Sequence, residues 1–274
     1  MISFPFEDDN EVVAAVHQSN VYFYNLRTKK SEYALKGLSF APTAMTCGHG
    51  YMAVGGQRSQ VVVRSLEEDE FMAQTTVGGA INNALHISRH LGDTRLMVCN
   101  NDETIKIFSL PNMDHIGDIK LESAVNSVCV APDGRMMVAT GDSGEVMLFG
   151  VSAGEGYVPL ANLAPIQDAG FSCSWDPSST QFAVAGQDGQ VSVWDARMLP
   201  KRESKVACIE SSQKIPKGAT RCVKFSQGMS MDLLIFTEHT SFLNVCDTRH
   251  YQERQRIRLS QPGTDLNITG TLRV

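Results

Sequence analysis

The sequence predicts an all-β fold, a propeller of four-stranded blades, on three observations. A short strand of alternating apolar residues recurs along the chain. Its aligned positions Tyr24, Arg64, Phe108, Phe149, Trp194 and Cys246 are 40, 44, 41, 45 and 52 residues apart. A short polar turn of the kind that closes a hairpin precedes each copy. Further short strands flank each copy, so that four fit one period of roughly 40–45 residues.

The elements follow in order, with strands named a to d from the innermost to the outer edge. Residues 12–35 supply b, c and d, with Gln18-Ser19-Asn20 turning into Val21-Tyr22-Phe23-Tyr24. Five complete units come next, near 44–76, 81–121, 125–162, 171–209 and 220–259. Their a-strands start near Ala44, Ile81, Val125, Phe171 and Thr220. Their b–c turns are 57–60, Asn101-Asp102-Glu103, Asp142-Ser143-Gly144, Gln187-Asp188-Gly189 and 238–241. Gly and Asp suit such turns, which need positive φ or a side chain that bonds the turn amides. Two units also carry a Pro turn before strand b, Ala131-Pro132-Asp133-Gly134 and Asp176-Pro177-Ser178-Ser179.

Residues 265–272 read as a lone strand a. A lone strand would leave an open sheet edge, so pairing it with the N-terminal three strands completes a sixth blade. The count predicts one domain over 1–274 with six blades, or seven if the chain is part of a longer protein.

Composition bounds the function. The chain has 274 residues, 42% hydrophobic and 20% charged, enough for a sizeable core. A net charge of −6 weighs against nucleic acid or an anionic membrane as the main partner. The start, MISFPFEDDNE, has neither a basic head nor an apolar run, so no signal peptide is expected. No apolar run is long enough for a spanning helix. The expected location is cytoplasm or nucleus. The seven cysteines form no CxxC pair and sit singly, several in apolar strands, as small buried hydrophobes do. No paired ligands point to a metal, and no phosphate-binding or dinucleotide motif points to a cofactor.

Within 170–197 the run GFSCSWDPSSTQFAVAGQDGQVSVWDAR ends in VSVWD followed by Ala196-Arg197, with Gly-Gln-Asp-Gly upstream. This resembles the WD-repeat family, and the resemblance extends in weaker form over nearly the whole chain. It implies a WD-type propeller that binds proteins and performs no catalysis. The family's Gly-His pair before strand a is missing from every unit; Gly48-His49 lies in another turn. The family's His–Ser/Thr–Asp–Trp network is therefore incomplete, with Asp188 and Trp194 as half of it. Residues 225–255, with TEHTSFLNVCDTRHYQERQ, are similar to the last blade of an uncharacterised group of fungal WD-repeat proteins.

Two rims emerge as candidate sites. The 182–197 stretch resembles the WDxR box by which some WD proteins dock on the adaptor of a cullin-type ubiquitin ligase. Arg249, after Cys246-Asp247-Thr248, matches its end in the next blade. On this wide rim Arg197 and Arg249 either contact a partner's carboxylates or close on Asp195 and Asp247. The simpler reading is the local pair. The narrow face collects Arg58, Asn82, Asn83, Asn101, Asn126, Gln187, Arg221 and His239, with a longer loop at 210–219. It is a polar collar suited to a peptide.

Three further features have plainer readings. Gly141-Asp142-Ser143-Gly144 is similar to a serine-protease nucleophile loop but fills a repeat turn. The runs RMLPKRESK and RHYQERQRIR could face a phosphate-bearing ligand or nucleic acid; Glu203 and Glu253 interrupt them. A propeller enzyme would need carboxylates or His at the inner ends of strand a, where Asn, Thr and Ser stand. The expected partner is a protein or peptide, with ubiquitin ligase subunits as the concrete version.

Overall fold

A computed structural model describes residues 1–6, 11–68, 71–152, 156–163, 166–199, 204–212, 218–227, 232–239 and 242–258. Its regular structure is strand, ordered as six four-stranded antiparallel sheets, the fold class of a six-bladed β-propeller. The chain divides into two compact units, one from Met1 to Val125 and one from Asn126 onward.

The first unit carries three sheets. β1 (Ile2–Ser3), β2 (Val12–His17), β3 (Asn20–Asn25) and β4 (Ser31–Leu35) form the first. The second is β5 (Pro42–Gly48), β6 (Tyr51–Gly56), β7 (Gln60–Ser65) and β8 (Phe71–Thr76). The third is β9 (Asn82–His90), β10 (Asp93–Asn100), β11 (Thr104–Leu110) and β12 (Asp114–Lys120). The second unit repeats the plan. Its first sheet holds β13 (Val125–Val130), β14 (Met136–Gly141), β15 (Val146–Ser152) and β16 (Gly156–Leu163). Its next holds β17 (Gly170–Trp175), β18 (Gln181–Gly186), β19 (Gln190–Asp195) and β20 (Lys205–Glu210). Its last holds β21 (Thr220–Phe225), β22 (Leu233–Glu238), β23 (Phe242–Asp247) and β24 (Arg254–Arg258).

One assignment changes. In the first sheet the described inner strand is Ile2–Ser3, paired as Ile2↔Ala15 and Ser3↔Ala14, in the place expected of 265–272. Val16 N also donates to Met1 O at 3.1 Å. The N-terminal residues thus cover the edge of β2 that a C-terminal strand was expected to fill. A two-residue strand ahead of Pro5 has no alternation by which to be recognised. Residues 265–272 lie outside the described residues.

Burial explains the strand types. The second strands β6, β14, β18 and β22 are buried at all but their first position, and β10 over its last five, as strands covered on both faces are. The outer strands are wet: β24 is exposed at every position. Four apolar clusters sit between consecutive sheets within the units. The richest contains Trp175, Phe182 and Trp194. Phe182 is fully buried between the two indoles, 4.9 Å from Trp175 and stacked at 14° and 5.4 Å on Trp194. Trp175 Nε1 donates to Cys129 O at 3.0 Å, tying β17 to β13. Trp194 therefore serves the core, with Lys205 Nζ 5.6 Å from its ring.

Candidate functional site

Strand β19 ends at Asp195, and the chain turns sharply into the 3-10 turn Ala196–Met198. Asp195 Oδ1 accepts from Arg197 N at 2.9 Å, a local bond that a carboxylate two residues back is placed to make. The Arg197 side chain then folds back: Nε donates to Oδ1 at 2.9 Å and Nη2 to Oδ2 at 2.6 Å. The next sheet repeats the arrangement. Arg249 N donates to Asp247 Oδ1 at 2.9 Å, Nε at 3.0 Å, and Nη2 closes on Oδ2. In both pairs the guanidinium hydrogen bonds hold the carboxyl below the usual carboxylate range. The local pairing expected of Arg197 and Arg249 is thus present. The arginines remain open to solvent, with side chains 67% and 68% exposed against 8% and 15% for Asp195 and Asp247.

At the opposite end of the sheets, strand a begins with a β-bulge. The ladders run Pro42↔Gly56 then Ala44↔Gly55, Asn82↔Asn100 then Ala84↔Cys99, Gly170↔Gly186 then Ser172↔Ala185, and Thr220↔Glu238 then Cys222↔Thr237. The extra residues are Thr43, Asn83, Phe171 and Arg221. A bulge re-aims the side chain of the residue it inserts. Thr43 Oγ1 donates to Asn82 O at 2.6 Å. Asn83 Nδ2 donates to Asn101 Oδ1 at 2.6 Å and Val125 O at 2.9 Å. Asn126, second in β13, donates to Asp142 Oδ1 at 2.8 Å and Gly170 O at 3.0 Å. Each of the three reaches a carbonyl at the start of the following first strand. At Phe171 the pattern changes: the Arg221 guanidinium carbon lies 4.3 Å from the Phe171 ring centroid.

The remaining candidates separate by burial. Asn82 is fully buried, donates to Gln60 O at 3.0 Å and accepts from Asn100 Nδ2 at 2.8 Å. Its expected place on a binding face is corrected: the residue beside the bulge points inward, and Asn83 takes the other side. Arg58, Asn101, Gln187 and His239 are exposed in the b–c turns. The turns are anchored by one repeated bond. Gln57 N, Asn101 N, Gln187 N and His239 N donate to Ala41 O, Ile81 O, Ala169 O and Ala219 O at 2.8–3.1 Å. Asp188 is 8% exposed and accepts from Gln167 N at 3.2 Å and Gln190 N at 3.0 Å, so it holds its turn together. Ser143 Oγ accepts from Glu145 N at 3.3 Å, the contact of a turn residue. In the basic run, Arg254 Nη1 donates to Glu210 O at 2.7 Å and Arg256 lies 4.5 Å from the Phe242 ring. Residues 200–203, 213–217 and 240–241 of the expected rim and loops lie outside the described residues. In the sequence Phe171 reads only as a strand residue. Its part in holding Arg221 depends on the bulge, for which the sequence offers no direct sign.

A family model described as WD domain, G-beta repeat, matches residues 115–149 and 169–195. A second, described as uncharacterised protein domain DUF2415, matches residues 218–258, the last sheet with its Asp247–Arg249 pair. The uncharacterized protein C4G3.03 of Schizosaccharomyces pombe is 30% identical, over 78% of this chain and 62% of its own length. The uncharacterized protein YLR149C of Saccharomyces cerevisiae is 25% identical, over 70% of this chain and 31% of its own length. The chain thus spans under two thirds of the length of the curated relatives it matches. A chain in a crystal structure of the mitotic checkpoint complex superposes with a TM-score of 0.76 at 18% identity, covering 96% of this chain and 80% of that one. At that identity the likeness concerns the fold.

Proposed function

We propose that this WD-repeat β-propeller is a non-catalytic platform that holds a protein or peptide partner. The observation that carries the reading is the repeated Asp–Arg unit at the ends of β19 and β23. Two guanidiniums are held in fixed orientation by their own carboxylates while two thirds of each side chain stays in water. Pre-organised arginine loses less conformational freedom on binding, and its planar face remains available to a partner. The polar residues at the strand starts point the same way. Thr43, Asn83 and Asn126 are engaged in stapling strands together, a rigid support rather than an acid–base constellation. Binding to a protein partner should survive nuclease treatment and weaken only modestly as salt rises from about 0.1 to 0.5 M. Steep loss over that range would favour a phosphate-bearing ligand or nucleic acid at the basic strand β24.

A narrower reading has one specific observation in its favour. The Trp194-Asp195-Ala196-Arg197 stretch and its partner at Arg249 present the two arginines alike on consecutive sheets. That is the arrangement expected of a substrate receptor docking on a ubiquitin ligase. The test is co-purification with ligase subunits from cells of origin. The R197A/R249A double variant should lose them; equal recovery, or none with the wild type, rejects the receptor role and leaves the platform standing.

A further inference from the structure

Arg221 differs from its counterparts at the strand starts. Among the four bulge residues Thr43, Asn83, Phe171 and Arg221, it alone is charged. Thr43 and Asn83 bond to neighbouring backbone, as Asn126 does from the matching place in β13. Arg221 instead lies on the half-buried Phe171 ring, with its Nε buried and without a hydrogen-bond partner among the described residues.

Three carboxylates at this end of the second unit are engaged elsewhere. Asp142 accepts from Asn126. Asp188 accepts from the backbone of Gln167 and Gln190. Glu238, 4% exposed, accepts from Ser212 Oγ at 2.7 Å and Asn244 Nδ2 at 2.9 Å. A guanidinium stacked on an aromatic face keeps its in-plane N–H groups directed outward, and these match a carboxylate.

We propose that Arg221, laid on Phe171, selects the partner by taking a carboxylate side chain of an extended acidic peptide. This rests on the reading of the protein as a peptide- or protein-binding platform and names the chemistry of what is bound. The re-aimed side chain at the bulge is the contact and Phe171 its base; the exposed Gln187 and His239 turns are tied to Ala169 and Ala219, two residues before Phe171 and Arg221. One charge-assisted contact of this kind changes affinity by about tenfold or more.

The test selects binders from a displayed library of random short peptides on the purified full chain, then measures synthetic copies by fluorescence anisotropy. The selected peptides should share Asp or Glu. Replacing that acid by its amide should weaken binding about tenfold, R221Q should do the same, and R221K should retain part of the affinity. R135Q, in the turn between β13 and β14 at the other end of the sheet, should change nothing. The acid-to-amide peptide reads the same contact on unaltered protein, so an R221Q chain that does not fold leaves the test intact. Unchanged affinity for the amide peptide, or equal binding by folded R221Q, overturns the proposal while peptide capture stands. If no peptide is enriched on the wild type, peptide capture fails and the proposal falls with it.

Discussion

Arg197 Nη2 sits 2.6 Å from Asp195 Oδ2, in a pair whose acid is 8% exposed and whose base is 67% exposed. The contact is therefore half structural and half surface. Its acid belongs to the end of a buried strand, and its base belongs to the rim.

A pH dependence follows. The Arg197 hydrogen bonds depress the Asp195 carboxyl in the folded state. A depressed acid contributes stability that is present above the unfolded carboxyl value of about 3.9 and is lost as pH falls through the folded value. D195N should melt below the wild type at neutral pH, and the gap should close as pH drops below about 4. Thermal unfolding followed by circular dichroism across pH reads this directly. A gap that persists unchanged in acid would place the effect of Asp195 elsewhere.

Phe182 joins two indoles in a fully buried cluster. Truncation leaves a cavity that neighbouring rings cannot fill without losing their stacking. F182A should cost about 3–5 kcal/mol, read as a lower denaturant midpoint. A loss under about 1 kcal/mol would show that the cluster relaxes freely.

Asn82 accepts from one buried amide and donates to one carbonyl. N82A should cost about 1–3 kcal/mol by leaving Gln60 O without its donor. Asn101, exposed at its turn, has no such burial, and N101A should cost less in the same denaturant titration.

Burial pushes the Cys173 thiol up, so the thiolate is scarce at neutral pH. Cys208 is exposed on β20, with Sγ 3.0 Å from Gln190 Oε1. A thiol reagent added to native protein should label Cys208 well before Cys173, and C208S should remove that fast phase. Equal labelling of Cys173 in the native state would contradict the burial of β17.

The fold was legible because its signals are local. The six aligned positions from Tyr24 to Cys246 all fall in third strands. The Gly and Asp turns that precede them are dictated by backbone geometry. The Asp-x-Arg spacing was legible for the same reason, since a carboxylate two residues back meets its own turn. Two things were not. Ile2–Ser3 is too short to show a period, so the sequence marks no inner strand ahead of β2. Asn82 and Asn83 read as equivalent polar loop residues. A bulge between Ala84 and Asn82 sends one into the core and the other to the strand start, and a single extra residue in a ladder leaves no mark in composition. Phe171 beneath Arg221 was hidden likewise, because their contact joins two bulges in different sheets.

The central claim is a protein-binding platform, and the most direct measurement is quantitative affinity purification from cells of origin. Wild type, R197A/R249A and R221Q would be compared after nuclease treatment. The account predicts a protein recovered in near-equal amount with the wild type and reduced by at least one of the variants. Recovery of the wild type with no such protein would contradict it; an identical set with all three would leave the platform standing and overturn the roles given to Arg197, Arg249 and Arg221.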